Sequence, residues 1–449
     1  MNQQPPRNLL QVLQQLDFDE AIEPDDPRFV DTDVARGATD LRNRLLSKFG
    51  LSLKTGEFFP TLGRHVLLFG PIGCGKSTEL MRLRAQLLDT HNPAGGKLYP
   101  ILFNVRGEID INNLEYADLF LSLAHAVMSE LDRQHLQVTD EHIAGLERWF
   151  TEHVLTQDTI RELATQIGSE AEAGGGWPLL LKLTARFSAV FKNSSTYKDT
   201  LREVVKKTFT EFAEAFNRFI RAAEAAIHAA GKGQRLLLLV DGTDKIPLKQ
   251  AQSLFLEDTE QLLGIQALVL YTAPITLKYV GTTHSKLNSE LVLPIIKLAS
   301  RDGQPFEPGW QAMHDLLDRR IDPGTFASPD LRDRLIETSG GHPRELLRLL
   351  ALSCEAAEGD TIESATVDRA IELLAADYRY WLAPEDYTLL AQVDASNGLH
   401  LGNDERTRNL LWRLALLQYN DGSWRRANPV VRQLEGYRSA AQALAGAAP

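Results

Sequence analysis

The octapeptide Gly70–Ser77, GPIGCGKS, constrains this chain more tightly than any other stretch of it. It follows a short apolar run, Arg64–Gly70 (RHVLLFG), that reads as a strand. It precedes Leu80, Leu83, Leu87 and Leu88, which recur at helical spacing. Strand, glycine-rich loop and a helix opening on Lys-Ser fit the pattern GxxxxGK(S/T) in the context it requires. Glycines let such a loop turn its backbone N–H groups inward around an anion, and the helix N-terminus adds its dipole. In this reading Gly70, Pro71, Ile72, Gly73, Cys74, Gly75, Lys76, Ser77 and Thr78 cradle phosphates. Lys76 reaches the outer phosphates, and Ser77 places its hydroxyl on Mg²⁺. Cys74 reads as a small filler of the loop rather than a reactive thiol.

Further apolar runs extend this unit into an α/β fold, a P-loop parallel sheet. A second strand is expected at Leu98–Val105 (LYPILFNV), a third at Arg235–Asp241, a fourth at Ala267–Thr272 and a fifth at Leu291–Leu298. The third is an uninterrupted apolar run, as a strand buried on both faces requires. Asp241 ends it at the carboxyl edge of the sheet, where it would hold Mg²⁺ through water. The next position is Gly242 and not an acid, so Asp244 is the candidate to polarise an attacking water. The plain alternative for both is a strand-end turn. Thr272, ending the fourth strand, either contacts the γ-phosphate or the water, or is simply a β-branched strand residue.

Around this core the chain divides by composition. Residues 1–60 read as an arm: a helix near Leu9–Leu16, the acidic stretch EPDDP, and a helix near Thr39–Phe49 capped by Thr39 or Asp40. The P-loop core spans 61–302, with a helical insertion at 109–234 between its second and third strands. The insertion carries a glycine break at Ala173–Gly176 and a long helical run from Tyr197 to Ala230. Its segment Trp177–Lys192 reads either as a membrane-surface or partner-binding amphipathic helix or as a helix buried against its neighbours. A helical lid follows at 303–376. There the turn SGGHP puts Pro343 at a helix start and Arg344 on its first turn, placed to swing onto phosphates. Residues 377–438 show helices at 386–393 and 405–417, then LQYNDGSWRRANP, a hairpin signature with Asn-Asp-Gly at the turn, which together suggest a winged helix. Residues 439–449 read as a frayed tail.

Composition bounds what such a chain does. Its 449 residues exceed one ordinary domain, and 43% hydrophobic with 24% charged residues is the balance of a soluble globular protein. Two cysteines form no disulfide framework, which together with the lack of a signal-like N-terminus points to the cytoplasm. The apolar run Gly264–Leu277 is too short to span a bilayer. The formal charge of −12, from 60 acidic and 48 basic residues, disfavours a general nucleic-acid or anionic-membrane coat. From Glu385 to Arg438 seven acidic residues balance seven basic ones, so DNA contact through Arg425 and Arg426 is less favoured than protein docking.

With these pieces the chain resembles bacterial ATPases of the AAA+/STAND group of ASCE-type P-loop proteins. The resemblance covers about residues 25–435 and rests on GPIGCGKSTEL, LLLLVDGTDKI, LVLYTAP, SGGHPRELLRLL and QYNDGSWRRANPVVR. It implies ATP and Mg²⁺ as ligands, slow hydrolysis, and a regulatory switch working through homo-oligomer assembly or contact with a protein effector in signalling or conflict systems. The Arg344 position is similar to the sensor-2 arginine of origin-recognition-like proteins. The segment DPRFVDTDVARGATDLRNRL resembles their N-terminal linker, which implies that Arg36 and Gly37 lie against the adenine. Arg301, Arg319 and Arg320 are the candidate arginine fingers. The chain departs from the family in lacking an adjacent Asp-Glu pair and in its large insertion. Two other readings are a DNA-associated regulator or loader, and a nucleotide-binding scaffold without turnover.

Overall fold

The computed structural model describes residues 5–37, 40–136, 138–156, 177, 180–185, 196–280, 287–400 and 402–447. In chain order these form α1 (Leu9–Gln15), α2 (Asp33–Arg36), α3 (Leu41–Lys48), β1 (Arg64–Gly70), α4 (Lys76–Leu88) and β2 (Leu98–Asn104). The insertion contributes α5 (Tyr116–Arg133), α6 (Asp140–Trp149), α7 (Thr196–Lys207) and α8 (Phe209–Ala229). Then come β3 (Arg235–Asp241), β4 (Leu268–Pro274) and β5 (Asn288–Val292). The remainder is α9 (Glu307–Asp318), α10 (Pro329–Ser339), α11 (Pro343–Ala356), α12 (Ser364–Arg379), α13 (Pro384–Ala395), α14 (Glu405–Trp412), β6 (Leu416–Tyr419), β7 (Trp424–Ala427), α15 (Pro429–Arg432) and α16 (Glu435–Ala447). The segment Ala173–Gly176 and most of Trp177–Lys192 lie outside the described residues, as does Thr39. Among the described residues no helix is long and apolar enough to cross a membrane.

The chain forms two compact units. One gathers Met1–Leu41, Phe69–Met81 and Leu291–Pro449; the other gathers Arg42–Leu68 and Arg82–Glu290. The five-stranded sheet has the order β2-β3-β4-β1-β5, so that β4 separates β1 from β3. Strands β2, β3 and β4 pair in parallel, with Leu98 opposite Arg235 and Leu237 opposite Leu268. This is an α/β P-loop fold with helical additions. Leu236, Leu237, Leu238, Leu239 and Val240 are fully buried, which is why β3 is a continuous apolar run rather than an alternating one.

In the second unit, helix α8 buries Phe212, Phe216 and Phe219 on one face, at the three- and four-residue spacing of a helix. Their rings pack at 5.7 and 6.2 Å, and Phe212 meets Trp149 of α6 at 4.8 Å. The expected single helix from Tyr197 to Ala230 is broken at Thr208, whose φ and ψ are −116° and 26°. The Thr208 hydroxyl donates to the Val204 carbonyl (2.9 Å) and accepts from the Trp149 indole (3.0 Å), a side-chain contact that competes with the helical ladder. The insertion also holds a buried ion pair. Asp118, fully buried near the start of α5, accepts from Arg202 Nε (2.8 Å) and the Glu115 N–H (3.1 Å), and Arg202 Nη2 closes on its second oxygen. Burial pushes the Asp118 carboxyl up against the pull of Arg202.

The first unit is built largely from helices that start on proline: Pro308, Pro329, Pro343, Pro384 and Pro429 all lie in a first turn. The fifth strand closes at Val292 instead of running to Leu298, because Pro294 has no N–H to continue a ladder. The expected helix 405–417 stops at Trp412; Leu414 adopts φ +61°, and β6 begins at Leu416. The hairpin forms as expected, with Tyr419 opposite Trp424, and Asn420 at its turn has φ +45°. Two expectations are corrected here. The stretch 439–449 is helical as far as Ala447, as part of α16, with Tyr437 donating to Asp394 Oδ2 at 2.6 Å. Arg425 is no surface contact of a wing: it is 1% exposed, and its Nη1 donates to the Gly402 carbonyl at 2.6 Å.

The buried ion pair yields a stability prediction. Arg202→Met takes from buried Asp118 its hydrogen-bonded partner, leaving Lys198 at 3.9 Å as the cation beside it, and should cost about 3 kcal/mol. The triple variant Asp118→Leu/Lys198→Met/Arg202→Met, which also removes the Lys198 ammonium beside Asp118, should recover most of that loss. Urea denaturation of the single and triple variants checks this, and equal losses would contradict it.

Candidate functional site

Strand β1 ends at Gly70, and the loop to α4 depends on backbone that side chains disfavour. Gly73 and Gly75 have φ of +81° and +103°. A Cβ on Gly73 would lie 2.6 Å from Arg344 Nε, and one on Gly75 would lie 3.3 Å from Arg36 Nη2. Two arginines therefore press on the loop where only glycine leaves room. Lys76, 3% exposed, turns its ammonium back to the Gly70 (2.8 Å) and Pro71 (2.7 Å) carbonyls. Ile72, Gly73 and Ser77 are half-buried. Cys74 is fully buried with its Sγ 3.7 Å from the Leu293 carbonyl oxygen, so alkylation of the native fold at this thiol would be slow. Thr78 Oγ1 accepts from the Ile22 N–H of the arm at 3.3 Å.

Arg36 closes α2, and Gly37 at φ +68° ends that helix in the left-handed conformation. The Arg36 side chain, 4% exposed, donates to Thr32 Oγ1 (2.8 Å), to the Cys74 carbonyl (2.7 Å) and to the Pro294 carbonyl. Its donors thus go to backbone of the loop and of the segment after β5. Gly37 faces Lys297, whose Nζ would lie 3.3 Å from an added Cβ. Arg344 lies over Gly73 and pairs with the arm: its Nη2 donates to Asp19 Oδ1 (2.6 Å) and to the Phe18 carbonyl (3.2 Å). A cavity open to solvent is lined by the arm (Phe18, Phe29), the loop (Gly73, Gly75) and the lid (Leu316, Pro343). Arg320 also lines it, donating to the Arg28 carbonyl at 3.2 Å, while Arg319 donates to the Pro27 carbonyl at 2.9 Å. Burial and the neighbouring Arg28 push the Arg320 guanidinium down to about 10.

His342 is a residue the sequence reading passed over within SGGHP. It is fully buried, and its Nδ1 accepts from the Glu345 N–H at 3.4 Å, capping α11. Burial, helped by the charges of Arg344, Lys76 and Arg36, pushes it down to about 3, so it is a neutral ring among cations. Beside it Gly341, at φ +79°, sits so close to the Ile296 carbonyl that an added Cβ would approach within 1.9 Å.

The second unit carries its own polar cluster at the end of β3. Asp241 and Asp244 are 5% and 3% exposed. Gly242 between them takes φ +86°, and an added Cβ would lie 3.1 Å from Asn104 Oδ1. Thr272, fully buried in β4, donates its hydroxyl to Asp244 Oδ1 at 3.2 Å, and Thr243 Oγ1 donates to the Thr272 carbonyl. Asp244 and Thr272, read separately from the sequence, are one hydrogen-bonded group.

The loop fits a nucleoside phosphate. Its left-handed glycines form a cradle that Cβ atoms would fill, a 13-residue helix starts at Lys76, and the buried ammonium is turned to carbonyls of the same loop. No family model matches the chain, and no curated protein matches it. Among solved structures it is similar to ORC2 of Aeropyrum pernix in ADPNP–ADP complexes, at 14% identity and TM-score 0.35, covering 96% of this chain and 98% of that one. It is similar to ORC1 of Aeropyrum pernix in complex with DNA, at 14% and 0.35, covering 96% and 95%. A Walker-type ATPase of Pyrococcus abyssi matches at 12% and 0.38, covering 94% and 99%.

His342 gives a pH prediction. Its folded value lies below the ordinary 6.5, so the unfolded chain takes up a proton that the folded protein refuses, and stability falls as pH drops from about 6.5 toward 3. His342→Asn keeps a capping side chain and removes this proton uptake. Between pH 6.5 and 5 the wild type should lose about 1.5 kcal/mol more than the variant. Denaturant midpoints at the two pH values measure the difference, and parallel losses would refute it.

Proposed function

We propose that the chain binds ATP with Mg²⁺ and hydrolyses it slowly as a conformational switch. The observation that carries this reading is the glycine loop: Gly73 and Gly75 in left-handed backbone, Lys76 at the head of α4, and arginines from the arm and the lid packed on the same few residues. The loop amides and Lys76 hold the phosphates and withdraw charge from them. Ser77, with Asp241, would hold Mg²⁺, and the ion would supply Lewis acidity toward the phosphate oxygens. Asp244, oriented by the Thr272 hydroxyl, takes the proton of the attacking water. Arg344 adds positive charge as the bond to the leaving group loosens.

The switch reading draws on Arg36 and Arg344, which tie arm and lid to one loop, so that a change in the loop is felt by both. The segment α13, α14, β6 and β7 serves as a winged-helix-like docking module for protein, in a second copy of the chain or in an effector. Burial of Arg425 removes one of the two basic residues on which contact with DNA rested.

Lys76→Ala should abolish nucleotide binding measured by calorimetry; unchanged affinity would sink the site. Asp244→Asn should keep the affinity and lower phosphate release by about 100-fold or more, in the range expected for a lost general base. Normal turnover in that variant would move the base elsewhere. Binding without phosphate release above the Lys76→Ala background would leave a scaffold instead of an enzyme.

A further inference from the structure

We propose that Asp19 is an autoinhibitory counter-ion, through which the N-terminal arm holds Arg344 in place of a nucleotide phosphate. The inference rests on the nucleotide reading of the loop and goes beyond it. The arm is a strap pinned at both ends to one turn of the lid. At its start, Arg7 Nε donates to Asp322 Oδ2 at 2.8 Å, and the Pro6 carbonyl accepts from the Asp322 N–H at 3.0 Å. At its end, the Pro27 and Arg28 carbonyls accept from Arg319 and Arg320. Between these anchors the strap passes beside the phosphate loop: the Ile22 N–H donates to Thr78 Oγ1 at the start of α4, and Asp19 and the Phe18 carbonyl accept from Arg344 Nη2 of the lid.

Arg344 cannot leave Gly73 without losing Asp19, because the same side chain makes both contacts. A guanidinium presents a fixed fork of donors, and a phosphate carries more charge and more acceptor oxygens than one carboxylate. A phosphate bound at the loop therefore competes with Asp19 for Arg344 and wins. The Asp19 side chain is 48% exposed and that of Arg344 19%, so the contact is weak enough to be displaced. Once it breaks, the middle of the strap opens while its ends stay fixed on the turn at Asp322. The arm becomes the element that reports nucleotide binding outward, an order-to-disorder switch driven by one exchanged ion pair.

Nucleotide affinity by calorimetry and amide hydrogen exchange of residues 15–22, both on the full chain, test this. Asp19→Asn should bind ATP about 1.5- to 5-fold more tightly than wild type, the range of a partly exposed pair removed from competition. In that variant the strap should exchange faster without nucleotide, and saturating ATP should produce the same acceleration in wild type. Asp25→Asn removes an equal charge from an exposed position of the same arm and should change neither quantity. Unchanged or weaker affinity in Asp19→Asn overturns the latch while leaving the nucleotide site intact. The same holds if Asp25→Asn has an equal effect, or if ATP slows exchange of the strap. A wild-type chain that binds no nucleotide overturns the reading of the site, and the latch with it.

Discussion

The left-handed backbone at Gly73 and Gly75 is the constraint on which the first unit depends. A side chain at either position would occupy volume that Arg344 and Arg36 fill, so loop, arm and lid share one steric solution. The same principle recurs outward from the loop. Gly341 meets the Ile296 carbonyl at a distance no Cβ allows, and a Cβ on Gly340 would lie 2.6 Å from Leu417 of the hairpin. The Gly340 carbonyl in turn accepts from the Tyr419 hydroxyl at 2.8 Å. A run of close approaches at glycines, to the Arg344 side chain, the Ile296 carbonyl and the Leu417 side chain, thus leads from the phosphate loop to β6. Each is intolerant of small shifts, as a packed two-state element must be if it is to transmit anything.

The second unit solves a different problem, how to keep charge in a dry interior. Asp244 is stabilised by the Thr272 hydroxyl, and Glu224, buried in α8, accepts from Arg235 Nε (2.7 Å) and from the Leu236 N–H (3.1 Å). Asp118 does the same with Arg202 and Glu115. A carboxylate taken out of water needs its lone pairs satisfied, which fixes the positions of its donors. These contacts give the insertion and the sheet a particular register that apolar packing alone would specify less sharply.

Much of this was legible in the sequence, for physical reasons that also mark the limits. A phosphate loop announces itself because glycine spacing, strand and helix must coincide within a dozen residues, and β3 because a strand buried on both faces leaves no polar position. The misread boundaries lie where one contact overrides local pattern. Thr208 breaks a helix whose apolar stripe runs through it, because a tryptophan 59 residues away donates to its hydroxyl. Pro294 ends a strand within an apolar run. Arg425 follows a tryptophan beside an Asn-Asp-Gly turn and looks like a wing contact, yet folding buries it against Gln418 and Gly402. Asp19 and His342 carry no periodic signal: Asp19 matters through Arg344, more than 300 residues distant, and His342 through burial beside Arg344, Lys76 and Arg36.

The charges of the lid show why the arm belongs to the site and is not merely attached to it. Arg319 and Arg320 donate to arm carbonyls, which satisfy their N–H groups without supplying a negative charge. Arg28, between Asp26 and Glu20, is neutralised by two carboxylates and held well above the ordinary arginine value by them. Arg320 stays a buried cation, and burial, more than the neighbouring Arg28, pushes its guanidinium down. An anion entering the cavity would stabilise it, since opposite charge beside a buried cation gains more than it would in water. Folding the arm over the loop thus brings Arg36, Arg320 and Arg344 to one cavity and, through Asp19, places an exchangeable negative charge beside Arg344.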